Sequence, residues 1–324
     1  MRSEIDQPTG SRPSENAFAR VSVVIPLYNK GPHIVRALES VLAQTLPPLE
    51  IIIIDDASAD DGPDRVEALT GTLGKDAPPV RLLSRSIPGP GGYAARNFGI
   101  FEAEGDWIAF LDADDVWKPD HLASMERAVS VAGNARFVFS GIDIVSEAGT
   151  RPYRHEEGLP ADTPLDFRRL LQTWLRTKRC PVWTGAAAFR RDVLLRAGLF
   201  PAGTARRGGD KDLWLRAMAD GPGVYSRPRT AEFHQDTVNR VTKATLHVEP
   251  PLLIRTIRTM LPSAAPGEKR LLKRLANMEL ALYARHAAGK RARLKPGWQA
   301  QLFYPSGAAY VPLIAGFGLA ARRP

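Results

Sequence analysis

The chain has 324 residues, 44% hydrophobic and 24% charged, which excludes a protein that is disordered over most of its length. A single cysteine, Cys180, excludes an internal disulfide framework and any site built from several thiolates, as is typical of a cytoplasmic protein. The formal net charge is +9, and residues 247–324 hold 13 basic against 3 acidic residues. The basic surplus therefore lies in the C-terminal region.

The two ends of the chain differ in character. Residues 1–19 are polar and lack the apolar segment of a secretory signal, so we expect a flexible arm. Residues 247–324 mix apolar and basic residues at helical spacing, which predicts amphipathic helices. Three interpretations stay open here: a helical subdomain with a solvated basic face, peripheral contact with an anionic membrane, and nucleic-acid binding. The apolar spacing disfavours nucleic acid as a partner.

Strand and helix patterns alternate through residues 20–133. The second strand is uniformly apolar, which is typical of a central parallel strand covered by helices on both faces. This alternation predicts an α/β fold with a wound parallel sheet. The predicted strands are Val21–Ile25, Leu49–Ile54, Val80–Leu83 and Trp107–Leu111, and the predicted helices are His33–Leu42 and Tyr93–Glu102.

The pattern becomes mixed in residues 134–246. After a polar, proline-rich connection, a further helix is predicted to start near Asp210, with an apolar face at positions 213, 214 and 217. The other elements predicted here are a strand at Phe137–Ser140, a helix around Leu165–Leu175, an apolar segment at Thr184–Phe189 and a helix near Arg191–Ala197.

Acidic residues end two of the predicted strands. Asp56 follows the second strand, and Asp112 and Asp114 follow the fourth. Because ligands bind beyond the carboxyl ends of parallel strands, these carboxylates are expected to share one crevice and to bind a divalent cation or a hydrogen-bonded ligand. An acidic turn without a metal remains the alternative. A calcium-binding EF-hand loop is excluded, because Trp117 and Ala123 stand where glycine and glutamate are required.

Known glycine-rich phosphate motifs are absent from the sequence. Neither G-x-G-x-x-G after the first strand nor G-x-x-x-x-G-K-S/T occurs, which excludes a Rossmann dinucleotide site and a P-loop. Residues 89–92 (GPGG) precede the third helix and could bring backbone N–H groups close to a phosphate, with Arg96 one turn later. A flexible connector with a solvated arginine is the alternative.

Four segments together resemble the family 2 glycosyltransferases of the GT-A fold. They are VSVVIPLYNK, LEIIIIDDASADDG, AARNFGIFEAEGDWIAFLDADDVWKPDHL and GGDKDLWLR, and the likeness covers roughly residues 20–240. The resemblance implies a Rossmann-like mixed sheet flanked by helices, with a helical, basic C-terminal extension. It also implies an inverting enzyme that uses a nucleotide-sugar donor and Mn²⁺ or Mg²⁺.

The resemblance assigns roles to individual residues. Asp56 would read the base, Arg96 would face the diphosphate, and Asp112 would face the ribose and the donor sugar. Asp114 would hold the metal. The positions assigned to nucleotide binding are Pro26, Tyr28, Asn29, Asp56, Arg96 and Asp112.

Asp210 resembles the catalytic base of this family, and a helix N-cap is its alternative role. The family motif usually reads Glu-Asp, whereas this chain has Gly209 before the aspartate. Trp214 and Arg216 match the aromatic and basic positions that follow, and His234 lies where relatives often carry a histidine. These last three would contact the acceptor or the diphosphate.

The resemblance implies sugar transfer from a nucleotide diphosphate donor, with UDP favoured over GDP or dTDP, to a saccharide or lipid-linked acceptor. Bacterial surface polysaccharide or glycolipid synthesis at the inner face of the membrane would suit the basic C-terminal region. Residues 20–133 would bind the nucleotide sugar, and residues 134–246 would bind the acceptor and hold the base.

Two alternatives to sugar transfer remain. The Asp112–Val116 segment also fits the nucleophile motif of haloacid dehalogenase-type phosphatases, although that family carries its nucleophile on an early strand. Gly209 leaves open a nucleotide-sugar-binding protein without turnover.

Overall fold

The computed structural model describes residue 18 and residues 20–205, 207–238, 248–312 and 314–315. The strands are β1 Val21–Leu27, β2 Glu50–Asp55, β3 Val80–Ser84, β4 Trp107–Phe110, β5 Val116–Trp117, β6 Phe137–Ser146, β7 Gly149–Pro152, β8 Pro164–Leu165, β9 Ala187–Arg190 and β10 Gly223–His234. The α-helices are α1 Gly31–Leu42, α2 Gly62–Thr70, α3 Tyr93–Glu102, α4 His121–Ala132, α5 Phe167–Thr177, α6 Arg191–Arg196, α7 Gly209–Met218, α8 Leu253–Met260 and α9 Pro266–Gly289.

The strands form one mixed sheet, in the order β3-β2-β1-β4-β9-β6-β10-β5, with β7 beside β6 and β8 beside β10. The first four strands in this order are parallel, as the sequence predicts. Strand β9 runs antiparallel to both β4 and β6, so the direction changes at the middle of the sheet. The predicted mixed α/β fold class is confirmed.

Parallel pairing brings the acidic strand ends to the same edge. Leu27 of β1 lies opposite Asp55 of β2, and Val24 lies opposite Phe110 at the end of β4. The segments that begin at positions 28, 56 and 111 therefore leave the sheet side by side. The acidic residues that were expected to share a crevice therefore lie at this edge.

Helices cover both faces of the sheet, which explains the uniformly apolar strands. Val24 and Ile52 point into one core cluster, whereas Val23 and Ile51 point into the other. Every residue of β2 is buried. Because successive side chains of a strand alternate between faces, the central residues of a strand covered on both sides are apolar at every position, as in Ile51–Ile54.

The C-terminal helices belong to the same core. Helix α8 buries Leu253, Ile254 and Ile257, and α9 buries Leu272 and Leu275, within the cluster that also contains α5 and α7. The apolar helix faces that suggested membrane contact are thus occupied by the protein itself. Among the residues that the structure describes, no helix combines the length and the apolar character needed to cross a bilayer.

Several features were not predicted. Phe18 is buried against Trp107, with ring centroids 5.1 Å apart; the rest of the predicted N-terminal arm lies outside the described residues. Strand β10 was missed because Pro228 interrupts its pattern, and its pairing with β6 shifts register between Ser226 and Ala231. Helices α2 and α4 were also missed, and β6 continues to Ser146.

Candidate active site

The turn after β1 presents an exposed aromatic ring. Tyr28 is 46% exposed and lies directly beyond the buried end of the strand. Asn29 adopts a left-handed backbone conformation with φ 49°, and its Oδ1 accepts a hydrogen bond from the Ala59 N–H at 2.7 Å. Pro26, half-buried, is the penultimate residue of β1. The turn is thereby fixed to the loop after β2, with the Tyr28 ring free to stack on a planar ligand.

Asp56 holds the glycine loop. Its buried carboxylate accepts hydrogen bonds from Arg85 and from the Gly89 N–H, the latter at 2.9 Å. Gly91 and Gly92 have φ of 72° and 66°, a conformation that glycine adopts without the steric cost paid by other residues. The loop predicted to approach a phosphate is therefore fixed to the carboxylate predicted to read the base.

Arg96 connects this loop to the acidic turn after β4. The guanidinium is buried, donates a hydrogen bond to the Gly91 carbonyl at 2.9 Å and forms an ion pair with Asp112. The Asp112 side chain remains 31% exposed. The structure thus brings Arg96 and Asp112 into direct contact and leaves the carboxylate accessible.

Three carboxylates crowd the turn after β4. Asp114 accepts hydrogen bonds from Lys30 Nζ at 2.5 Å and from Thr237 Oγ1 at 2.7 Å. Asp115 is buried, and its Oδ1 accepts from the His234 N–H at 3.0 Å. Burial and then the neighbouring charges of Asp112 and Asp114 raise the pKa of Asp115 well above its usual range. The repulsion expected from the sequence is present here.

The acidic turn fits a divalent cation in its ligand chemistry. Asp114 offers a carboxylate, and Asp115 Oδ2 is a buried oxygen with no hydrogen-bond partner in the described part of the chain. Oxygen ligands of this kind suit Mg²⁺ and Mn²⁺. Within the same residues no three potential ligands converge on one point. One or two carboxylates are the usual protein contribution where substrate phosphates complete the coordination.

Asp210 lies near the start of α7 and lines the same pocket as Asp112. Gly208 occupies the N-cap position, so Asp210 is not the N-cap. Asp210 is half-buried, and both it and Asp112 line a pocket of about 140 Å³. Burial and then the charge of Asp210 raise the pKa of Tyr93, whose oxygen accepts the Gly209 N–H at 2.9 Å.

Packing explains why glycine precedes Asp210. A Cβ atom at position 209 would lie 2.7 Å from Pro201 Cγ and 2.9 Å from two ring atoms of Tyr93. Such distances are shorter than van der Waals contact, and both neighbours are ring systems. The glutamate of the family motif therefore has no room at Gly209.

A buried ion pair behind the pocket was missed by the sequence analysis. Lys211 Nζ lies 2.9 and 3.1 Å from the carboxylate oxygens of Glu279, which is fully buried on α9. Trp174 Nε1 also donates to Glu279 Oε1, at 2.9 Å. Burial alone would lower the pKa of Lys211, but Glu279 and its neighbours raise it above its ordinary value. The sequence signal for this ion pair is Glu279, the one acidic residue in the largely apolar helical segment LANMELAL.

Two of the three remaining predicted residues, Trp214 and Arg216, make contacts within the fold. Trp214 is fully buried and stacks on Phe189 at 4.5 Å. Arg216 donates to the Leu199 carbonyl at 2.9 Å and to Asp212, so it fastens α7 to the preceding loop. Neither residue lines the pocket.

His234 lies beside the acidic turn. Its Nε2 is 3.5 Å from Glu232 Oε2, and its side chain is mostly buried. Burial and then the charge of Arg36 lower the pKa of His234, although Glu232 opposes this shift. His234 is therefore placed near Asp114 and Asp115, on the metal side of the site.

Comparisons with known proteins agree with this geometry. The succinoglycan biosynthesis protein ExoO of Rhizobium meliloti (strain 1021) is 41% identical over 138 residues, which are 42% of this chain and 37% of that protein. The S. aureus TarS 1–349 structure in complex with UDP-GlcNAc superposes with a TM-score of 0.65 at 16% identity, over 93% of this chain and 81% of that one.

A second solved structure shares the fold. The mannosyltransferase PcManGT from Pyrobaculum calidifontis, in complex with GDP-Man and Mn²⁺, gives a TM-score of 0.54 at 20% identity, over 93% of this chain and 85% of that one. Residues 22–197 match the family described as glycosyl transferase family 2, which is more than half of the chain. The chain spans less than two thirds of the length of ExoO, but it belongs to glycosyl transferase family 2 and has the GT-A fold.

Proposed function

We propose that the enzyme transfers a sugar, with inversion, from a nucleotide diphosphate donor to an acceptor hydroxyl during bacterial surface polysaccharide or glycolipid synthesis. The observation that carries this proposal is the pocket shared by Asp112 and Asp210. Asp112 is joined through Arg96 to the glycine loop, so a donor held there would direct its sugar towards Asp210. The naming of ExoO as a succinoglycan biosynthesis protein supports the substrate class.

The nucleotide would lie at the carboxyl edge of β1 and β2. The exposed ring of Tyr28 would stack on the base, with Pro26 and Asn29 shaping the pocket wall. The carboxylate of Asp56 would accept base N–H groups beside its bonds to Arg85 and Gly89. UDP is the favoured nucleotide, as in the TarS complex with UDP-GlcNAc, and GDP, as in the PcManGT complex with GDP-Man, or dTDP is the alternative.

The diphosphate would lie between the glycine loop and the acidic turn. Arg96 supplies a fixed positive charge there. Asp114 and Asp115 would hold the divalent ion, Mn²⁺ or Mg²⁺, with His234 beside them; the bound ion would offset negative charge on the departing diphosphate. In this structure Lys30 holds Asp114, so an ion at that carboxylate would replace the ammonium group as its partner.

Asp210 would act as the general base. The acceptor hydroxyl attacks the anomeric carbon on the face opposite the departing diphosphate, which inverts the configuration, and Asp210 takes the hydroxyl proton as the new bond forms. Its place in the lining of the pocket that also contains Asp112 suits this role. General-base assistance contributes roughly 10² to 10⁴ in rate.

Asp210→Asn tests this assignment. We expect UDP-sugar binding, measured by thermal shift, to be retained, while the transfer rate falls by about 10² to 10⁴. Asp64→Asn on the exposed face of α2 is the matched control and should leave both quantities unchanged. Unaltered turnover in Asp210→Asn would remove this residue from the mechanism. The same thermal-shift screen with UDP-, GDP- and dTDP-sugars, with and without Mn²⁺, identifies the donor and tests the metal.

The alternatives from the sequence gain no support. A haloacid dehalogenase-type phosphatase would need Asp112 as a free nucleophile, whereas this carboxylate is ion-paired with Arg96. The binding-protein alternative depended on Gly209. Because packing against Tyr93 and Pro201 explains that glycine, it is no sign of lost turnover.

A further inference from the structure

The pocket beside Asp210 has a positively charged wall that sugar transfer by itself does not require. Lys178, Arg179 and Lys211 line it together with the two aspartates. Lys178 and Arg179 belong to the connection after α5, and Lys211 belongs to α7. The donor-side cation, Arg96, is not part of this wall.

Two of the charges around the pocket are already neutralised. Arg96 pairs with Asp112, and Glu279 pairs with Lys211. Subtracting these pairs leaves the carboxylate of Asp210 facing two cations. The negative charge of Asp210 therefore does not neutralise both cations, and the residues that line the pocket carry a net positive charge.

The guanidinium group of Arg179 is held in place by contacts that do not neutralise its positive charge. Its guanidinium carbon lies 4.5 Å from the centroid of the Tyr153 ring, and its Nη1 donates to the Tyr153 carbonyl. Within the described residues it makes no ion pair. Arg179 lines the pocket, and its remaining N–H donors are not among the buried, unpartnered atoms of the described residues. A fixed guanidinium fork of this kind matches the geometry of carboxylate and phosphate oxygens.

Lys178 and the aromatic rings complete the pocket. Lys178 is exposed at the C-cap of α5 and has no carboxylate partner among the described side chains. The half-buried ring of Trp183 contacts Tyr153 edge-on, with centroids 5.0 Å apart. Aromatic walls with a few fixed polar groups are typical of small-molecule sites, and such a wall can pack on the apolar face of a sugar.

We propose that the acceptor carries an anionic group, a carboxylate or a phosphate, close to the reacting hydroxyl, and that Arg179 binds this group with help from Lys178. The inference rests on the proposed function, because it takes Asp210 as the base that the reacting hydroxyl approaches. The anion has two chemical sources: a uronate residue in the growing glycan, or the diphosphate of a short lipid-linked acceptor.

Three glycosides separate these sources: methyl glucoside, methyl glucuronide, and glucose linked through diphosphate to a short prenol. Their binding to the enzyme is titrated by saturation-transfer NMR with and without UDP. We expect wild-type enzyme to bind one or both anionic glycosides about tenfold or more tightly than methyl glucoside, as for hydrogen bonds to a charged group. The glycoside that shows the preference identifies the source.

Arg179→Gln should reduce this preference to about twofold or less, and Lys178→Gln should reduce it by a smaller factor. Arg191→Gln is the matched control, because Arg191 also donates to backbone carbonyls but does not line the pocket. We expect it to keep the full preference. UDP binding, measured in parallel, shows that each variant is folded.

Equal binding of neutral and anionic glycosides by the wild type overturns the inference, as does a preference that persists in Arg179→Gln. The inference is also wrong if Arg179→Gln weakens UDP-glucuronate relative to UDP-glucose while leaving the glycosides unaffected, since the anion would then belong to the donor. Failure of the proposed function is a different result: no UDP-sugar is bound, whatever the glycoside preference without nucleotide.

Discussion

The buried pair of Lys211 and Glu279 makes a sharp prediction about stability. Glu279→Gln keeps the size of the side chain and an oxygen that can accept from Trp174, now at 2.9 Å, but removes the negative charge. The ammonium group of Lys211, which now lies 2.9 Å from this carboxylate, would remain without a counter-charge.

Removing one partner of a buried ion pair costs about 3–5 kcal/mol. The Lys211 side chain is 29% exposed, so water partly compensates the loss, and the glutamine oxygen retains a hydrogen bond. We therefore expect Glu279→Gln to lower the free energy of unfolding by about 3 kcal/mol. In the double variant Lys211→Met/Glu279→Gln no charge is left unpaired, and the loss should shrink to about 1 kcal/mol.

Urea denaturation followed by tryptophan fluorescence measures these differences. Glu249→Gln, which breaks an exposed ion pair with Lys295 in the same C-terminal region, is the control and should cause no measurable change. A Glu279→Gln variant as stable as the wild type, or a double variant less stable than either single one, would refute the reasoning.

Two further predictions concern packing and pH. Gly209→Ala should destabilise the fold by about 1–3 kcal/mol, despite the better helix propensity of alanine. Gly289→Ala is the control and should be neutral or stabilising, because there is open space around Gly289. If Gly209→Ala were more stable than the wild type in urea, the packing argument would be contradicted. Burial lowers the pKa of His121 to about 3, from an ordinary 6.5. The unfolded state therefore binds the proton first, and His121 should lower the free energy of unfolding by about 1.4 kcal/mol per pH unit below pH 6.5. Buried His155, whose pKa is also lowered to about 3, should contribute similarly. His121→Gln should reduce the slope between pH 6.5 and 4.5 by about 1.4 kcal/mol per pH unit, and an unchanged slope would show that His121 is not responsible.

The sequence by itself determined the parallel half of the sheet and the acidic residues at its carboxyl edge. Strand β2 was predictable because burial on both faces favours a continuous apolar run, here Ile51–Ile54, and its end at Asp55 was marked by two acids. Parallel pairing then placed Asp56 and Asp112 at one edge without further information. Each of the four family motifs lies within a short segment, and they occur in the expected order, so the sequence alone was enough to identify the family.

Only the tertiary structure decided what lies around Asp210. The family resemblance assigned Trp214 and Arg216 to the site, but Trp214 lies on the apolar face of α7 and packs in the core, where it stacks on Phe189. The contacts that built the pocket join distant positions: Lys211 pairs with Glu279, 68 residues away. A single sequence carries no signal for such pairs, because which helix faces pack together depends on the completed core.

The same reason applies to the C-terminal region. An amphipathic, basic helix has the same sequence pattern whether its apolar face meets a membrane or a protein core. Here the apolar faces of α8 and α9 pack into the core that supports α7. Periodicity determined that these segments are helices, and tertiary packing decided what they contact.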